Sequence, residues 1–131
     1  MKLYHYVHCP FCVRIRMVLD YLDLEYEAII LPYHDEKTPI KLMGVKMLPI
    51  MQIGDQISNE SLKIISLIDK ENLLRSKECI ESYSETEIIL NKLGSDIHSL
   101  AMPYFIWTPE FDSESREYFQ NKKEIKRGPF K

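Results

Sequence analysis

The sequence predicts an α/β domain of order β-α-β-α-β-β-α, followed by further helices. Three stretches predict it. An apolar and aromatic run at 2–7 leads through Cys9-Pro10-Phe11-Cys12 into an amphipathic helix. A strand-like run at 45–53 carries a proline and turns at Gly54. A strongly apolar helical run then begins at Asn59.

Residues 2–7 are short, rich in apolar and aromatic side chains and closed by His8, so they read as a first strand. Beyond them Val13, Met17, Val18, Tyr21 and Leu22 recur at helical spacing, with Arg14, Arg16, Asp20 and Asp23 mostly on the other side. Pro10 suits the first turn, where its missing N–H has no partner to lose. Cys9 is then the N-cap, and Cys12 lies one turn in, on the same face and within disulfide reach. The unsatisfied N–H groups and positive dipole end of a helix stabilise a thiolate there. A CxxC at a helix start commonly has a thiol pKa well below the free value of about 8.5. Arg14 and Arg16 add positive potential. The attacking sulfur is expected to be Cys9, and the resolving sulfur Cys12, partly buried by its helix. Half a zinc site and an inert structural pair are the competing readings. The chain has no second CxxC and its Cys–His spacings fit no common finger, so redox use is expected and a metal is not.

The next run, 24–31, alternates and then turns continuously apolar: a second strand, parallel to the first across the helix, completing a βαβ unit. Residues 32–37 form a polar loop in which His34 is expected to be exposed. Thr38-Pro39 reads as an N-cap and N1 proline opening a short helix through Met43, closed by Gly44. Pro49 cannot sit in a central ladder and so marks a strand start. Gly54-Asp55-Gln56 is a hairpin turn and Ile57-Ser58 a short last strand. Leu62, Ile64, Ile65, Leu67 and Ile68 make a helix to about Asn72, capped by Ser58 or Asn59. Residues 73–77 read as a linker. One long helix is expected over 79–102, with Ile80, Tyr83, Ile88, Leu90, Leu93, Ile97 and Leu100 on a broad apolar face, ended or kinked by Pro103. Cys79 stands alone on it, structural or exposed. An aromatic connection at 104–109 precedes a helix from Ser113 to about Lys126, and 128–131 are the end.

The 131 residues suffice for one domain, or one small domain plus a partner, and 45% hydrophobic with 28% charged gives a core and argues against disorder. A formal net charge of −3 leaves no polyanion footprint, so nucleic acid is not an expected partner. No apolar run approaches the roughly 18 residues of a membrane span, and the N-terminus lacks the apolar stretch of a signal peptide. Three cysteines, two of them in one CxxC, fit a reducing compartment, and a cytoplasmic location is expected.

The element order with a CxxC after the first strand is thioredoxin-like. Cys9-Pro10-Phe11-Cys12, Leu48-Pro49-Ile50 and Asn59-Glu60-Ser61-Leu62 together resemble a glutaredoxin, and also the N-terminal domain of a glutathione S-transferase. Met1-Lys2-Leu3-Tyr4, His8-Cys9-Pro10, Thr38-Pro39, Asp69-Lys70, Arg75-Ser76, Met102-Pro103-Tyr104-Phe105, Glu117-Tyr118-Phe119 and Lys122-Lys123-Glu124 extend the resemblance to the bacterial glutaredoxin-2 family over the whole chain. The motifs are specific in the first 72 residues and diffuse afterwards.

This resemblance implies a thioredoxin-like domain at 1–72, a linker at 73–77 and a truncated, all-α, glutathione S-transferase-like domain at 78–131, the chain ending within the helical domain. It implies a dithiol glutaredoxin that reduces glutathione mixed disulfides and protein disulfides, with glutathione as co-substrate. A cysteine-type glutathione transferase and a glutathione-dependent iron–sulfur cluster-binding glutaredoxin are the alternatives. Leu48 would precede a cis proline, Pro49, and pair through its backbone with the cysteinyl part of glutathione. Glu60 and Ser61 would meet the γ-glutamyl end, and Lys46 a glutathione carboxylate. From the residues alone, 58–61 reads as ordinary helix capping and Lys46 as a solvated lysine. Phe11 departs from the family's usual tyrosine and loses its hydroxyl. With later helices missing, Ile88, Leu93, Ile97, Leu100, Phe105 and Trp107 are expected to be partly uncovered, and the chain to self-associate through them.

Overall fold

Strand β1 (Lys2–His5) sits inside a four-stranded sheet of order β2-β1-β3-β4. It pairs in parallel with β2 (Glu27–Ile30), Leu3 opposite Ala28, and antiparallel with β3 (Ile50–Ile53), Leu3 opposite Met51. Strand β3 turns through Gly54, at φ +56°, into β4 (Gln56–Ser58), Met51 opposite Ser58. Helix α1 (Pro10–Tyr21) is the crossover between the two parallel strands, as their shared direction requires. The computed structural model that shows this describes residues 1–123.

The described residues fall into two units. The first is Met1–Leu31 with Asp35–Glu78; the second is Pro32–His34 with the described residues from Cys79 onward. In the first, alternation along β1 and the pairing of Leu3 with Met51 put both on one sheet face. Ile15 and Leu19 of α1, and Ile64, Ile65 and Ile68 of α3 (Ser61–Ile68), close over that face as one core. Ile50, one residue from Met51, is equally buried, so both faces of the sheet are covered at β3. His5 is also buried, and burial holds its pKa below the ordinary value. The unit has the thioredoxin-like architecture expected.

Several boundaries differ from the expectation, each for a local reason. Strand β1 ends at His5 and β2 starts at Glu27, because only those four rungs find partners. Leu24 and Tyr26, expected in the strand, pack against the core from outside it. Helix α2 (Lys37–Met43) starts one residue before Thr38. Its N-cap is Glu36, not Thr38, and makes no side-chain cap bond; Asp35, one residue earlier, accepts the Thr38 N–H through Oδ1 at 3.0 Å. Pro39 is then the third helical residue, still within the first turn, where no hydrogen bond is lost. Gly44 ends α2 as expected, at φ +75°, with its N–H bonded to the Ile40 carbonyl at 2.8 Å.

Helix α3 stops at Ile68, not near Asn72, because Asp69 turns the chain. Its buried carboxylate accepts the N–H of Leu74 and of Ser76, each at 3.3 Å, while Asn72 and Arg75 take positive φ. Burial opposes ionisation of Asp69, but the Ser76, Leu74 and Leu73 hydrogen bonds outweigh it and hold the carboxyl below its usual pKa. Helix α4 (Ser76–Ser82) thus begins inside the stretch expected as linker, with Asp69 capping its first residue.

In the second unit the single helix expected over 79–102 is two, α4 and α5 (Ser84–Phe105), separated at Tyr83. Pro103 does not end α5, which runs two residues further; the Ile106 N–H still reaches the Met102 carbonyl at 3.2 Å. Met102, Ile106, Phe111 and Phe119 form the buried cluster, the last from α6 (Ser113–Lys123), with Tyr33, Phe105 and Trp107 packed on it. The Tyr33 ring lies 5.4 Å from both Phe111 and Phe119. His34 is not a free loop residue: its Nδ1 lies 3.0 Å from Ser115 Oγ, which donates to Asp112 at 2.8 Å. These contacts join Pro32–His34 to this unit. On α5, Ile88, Leu93, Ile97 and Leu100 are exposed, and Phe105 and Trp107, packed on the cluster, are still partly uncovered, as expected for all six. The positions expected to carry α6 to Lys126, and 128–131, lie outside the described residues. No helix among the described residues is long and apolar enough to cross a membrane.

Candidate functional site

Cys9 occupies the N-cap of α1, with extended φ/ψ of −75° and 122°, and its carbonyl accepts the Val13 N–H at 2.9 Å. The side chain caps nothing, so the sulfur is left beside the unpaired N–H groups of the first turn. Cys9 is partly exposed, Cys12 fully buried, and both are free thiols.

These two sulfurs have opposite electrostatic settings. The Cys9 pKa is lowered to about 7, first by a hydrogen bond from the Cys12 thiol, and further by the backbone N–H groups of Cys12 and Phe11 and the charge of Arg16, all against the opposing effect of burial. Cys12 is pushed up, by its bond to the Cys9 sulfur, by burial and by the charge on Cys9. One proton shared between them therefore stays on Cys12 while Cys9 carries the charge. Such a pair can attack a disulfide through Cys9 at neutral pH and keep a second thiol in reserve.

Across from Cys9 lies the turn into β3. The Leu48-Pro49 bond is cis, both residues are buried, and the Leu48 carbonyl is 3.8 Å from the Cys9 sulfur, within reach of its S–H. Ser61, the first residue of α3, is buried. The N-cap of α3 is Glu60, not Ser58 or Asn59, and its side chain makes no cap bond; Ser58 Oγ instead accepts the Glu60 N–H at 3.4 Å. Lys46 is mostly buried, its ammonium 3.9 Å from Glu36 Oε1. The structure thus brings Cys9, Cys12 and Leu48 into contact, puts Glu60 and Ser61 at one helix start, and points Lys46 at a carboxylate of its own chain.

Two residues matter more than the sequence reading allowed. Arg16 Nη2 donates to the Val7 carbonyl at 3.1 Å, tying down the loop that leads to Cys9, while its Nε is buried without a partner. Its spacing carried the signal: seven residues from Cys9 and four from Cys12 is one helix face. Arg14 Nη1 donates to Ser61 Oγ at 3.1 Å, and its guanidinium carbon lies 5.4 Å from the centre of the Phe11 ring. No local pattern could have found that contact, which joins residues 47 positions apart. Among the described residues, no three His, Cys, Asp or Glu side chains cluster as metal ligands would.

Comparison with known proteins places this geometry. Residues 3–73 match the family model of the glutathione S-transferase N-terminal domain. Glutaredoxin 2 of Escherichia coli (strain K12) is 34% identical over 139 aligned positions, which cover 99% of this chain and 62% of that protein. The crystal structure of glutaredoxin 2 from Salmonella typhimurium in complex with glutathione superposes with a TM-score of 0.71 at 34% identity, over 97% of this chain and 60% of that one. Prostaglandin E synthase 2 of Mus musculus is 28% identical over 121 positions, 87% of this chain and 31% of the relative. The chain spans about 62% of the length of the glutaredoxin 2 it matches.

Proposed function

The chain belongs to the glutathione S-transferase N-terminal domain family, and from that premise we propose that it is a glutathione-dependent thiol–disulfide oxidoreductase of the dithiol type. The observation that carries this reading is the Cys9–Cys12 pair: a thiol lowered to about 7 at a helix start, backed by a buried second thiol. The glutaredoxin 2 structure that the chain resembles is a complex with glutathione, which supports the same co-substrate here.

Cys9 as thiolate attacks one sulfur of a glutathionylated or protein disulfide. The old S–S bond breaks, a new one forms to Cys9, and the departing thiolate takes a proton from solvent. Where the new bond is to a glutathione sulfur, a glutathione thiolate attacks that sulfur, glutathione disulfide leaves and Cys9 returns as thiolate. Alternatively Cys12, its proton passed to solvent as the Cys9 charge disappears, attacks the Cys9 sulfur and expels the substrate thiolate, closing a Cys9–Cys12 disulfide that two glutathione molecules reduce, leaving glutathione disulfide and both thiols. Leu48 and the cis Pro49 line the groove for the cysteinyl part of glutathione, and Glu60 and Ser61 meet its γ-glutamyl end. Lys46 meets a carboxylate once it leaves Glu36. The second thiol favours disulfide reduction over the conjugation that a single cysteine would perform.

The test compares two variants in a glutathione-coupled assay. Cys9→Ser loses all turnover. Cys12→Ser keeps turnover of small glutathione mixed disulfides, which glutathione resolves alone, and loses reduction of protein disulfides that need the second thiol. Equal loss in both variants refutes the roles assigned.

A further inference from the structure

Arg14 is a cation without an anion. Among the described residues no carboxylate lies within 4.0 Å of it; it meets the Ser61 hydroxyl at 3.1 Å and the Phe11 ring at 5.4 Å. Glu60, one residue from Ser61, makes no ion pair with it. The site it occupies is also the wrong one for a positive charge. Arg14 lies in the early turns of α1 and reaches the first residue of α3, so it stands near the positive ends of two helices. The first turn of α3 has no side-chain cap, so its N–H groups add to that field. A surface arginine with these surroundings would turn to solvent. This one donates to the Ser61 hydroxyl and lies over the Phe11 ring.

We propose that Arg14 is a specificity-determining residue that, together with Ser61, holds the γ-glutamyl carboxylate of the incoming thiol and so selects glutathione over neutral thiols. The inference rests on the oxidoreductase reading above. It adds a residue to that site and assigns Phe11 a use: its ring, where the family usually has a phenol, fixes the guanidinium that Ser61 shares. The link also connects the carboxylate to the reacting sulfur, because Arg14 and Phe11 sit on the same helix start as Cys9.

Rate constants for reduction of the oxidised full chain by several thiols, corrected for thiolate fraction, test this. Wild type reacts faster with glutathione than with 2-mercaptoethanol. In Arg14→Gln that preference falls about tenfold, the size of one charge-assisted hydrogen bond. Arg14→Lys restores part of it. Phe11→Leu lowers it about threefold, as loss of an exposed cation–π contact does. The glycine monoethyl ester of glutathione, whose γ-glutamyl carboxylate is free, shows the same losses. 3-Mercaptopropionate, anionic but too small to span the site, does not. The Cys9 alkylation midpoint stays in place in Arg14→Gln, which a general disturbance of the CPFC loop would move. Wild type with no preference for glutathione overturns the oxidoreductase reading and this inference with it. A preference that survives Arg14→Gln overturns the inference alone, as does an equal loss with 3-mercaptopropionate, which would mean long-range attraction only.

Discussion

Cys12→Ala removes the S–H that bonds the Cys9 sulfur, the largest of the influences lowering the Cys9 pKa. The full shift, from 9.0 to about 7, corresponds to about 2.7 kcal/mol of preference for thiolate over thiol. With the Cys12 bond gone, the remaining N–H groups and Arg16 work against burial, and the midpoint returns to roughly the free-thiol value of 8.5. At pH 7 wild type is about half thiolate and the variant about 3%, a loss of roughly 16-fold in reactive form. The more basic thiolate is the better nucleophile. With a Brønsted slope of about 0.45 over about 1.5 units it recovers roughly fivefold. The variant therefore alkylates about threefold more slowly than wild type at pH 7 and about fivefold faster above pH 10, so the two profiles cross. Iodoacetamide rates from pH 5 to 10.5, with the adduct mapped by mass spectrometry to separate Cys9 from the exposed Cys79, provide the measurement. A midpoint that stays near 7 in Cys12→Ala, or profiles that never cross, would refute the view that the buried thiol sets the charge on Cys9.

The same depressed pKa makes stability pH-dependent. Between about pH 7 and 9 the unfolded chain holds a Cys9 proton that the folded chain has released, so stability of the reduced protein rises with pH through that window and is lost as pH falls through 7. Cys12, displaced upward, contributes below the ordinary thiol range and loses that contribution as pH rises above it. Urea unfolding of reduced wild type against Cys9→Ser should show a gap that grows by up to about 2–3 kcal/mol from pH 6 to pH 9. Arg16→Met should raise the Cys9 alkylation midpoint by about half a unit, with Arg16→Lys between it and wild type; an unmoved midpoint would leave Arg16 only its bond to Val7. The exposed Ile88, Leu93, Ile97 and Leu100 of α5 should drive self-association. Light scattering on a sizing column should report a mass above the monomer, and Leu93→Glu with Ile97→Glu should return it to one chain. A clean monomer at high concentration that binds no apolar dye would count against that face.

By itself the sequence determined the elements whose periodicity is local. The strand, CxxC and helix at the N-terminus, the proline-led hairpin at β3, and the apolar run of α3 each follow from spacing within about ten residues, because pleat and helix repeats are properties of short segments. Cys9 and Cys12 were legible for the same reason: a helix start stabilises a thiolate whatever it packs against. The tertiary structure decided what depends on residues far apart. Asp69 ends α3 and starts α4 by turning its carboxylate onto Leu74 and Ser76, a choice made by burial that no propensity records. Pro32–His34 leaves the first unit because Tyr33 finds Phe111 and Phe119, and His34 finds Ser115. Arg14 and Arg16 both read as charges near a motif, and spacing puts only Arg16 on the face of Cys9 and Cys12. Only the fold gives one of them the Val7 carbonyl and the other Ser61. Side-chain hydrogen bonds are set by distance in space, and the chain reveals that distance only after α3 has been laid beside α1 on the sheet.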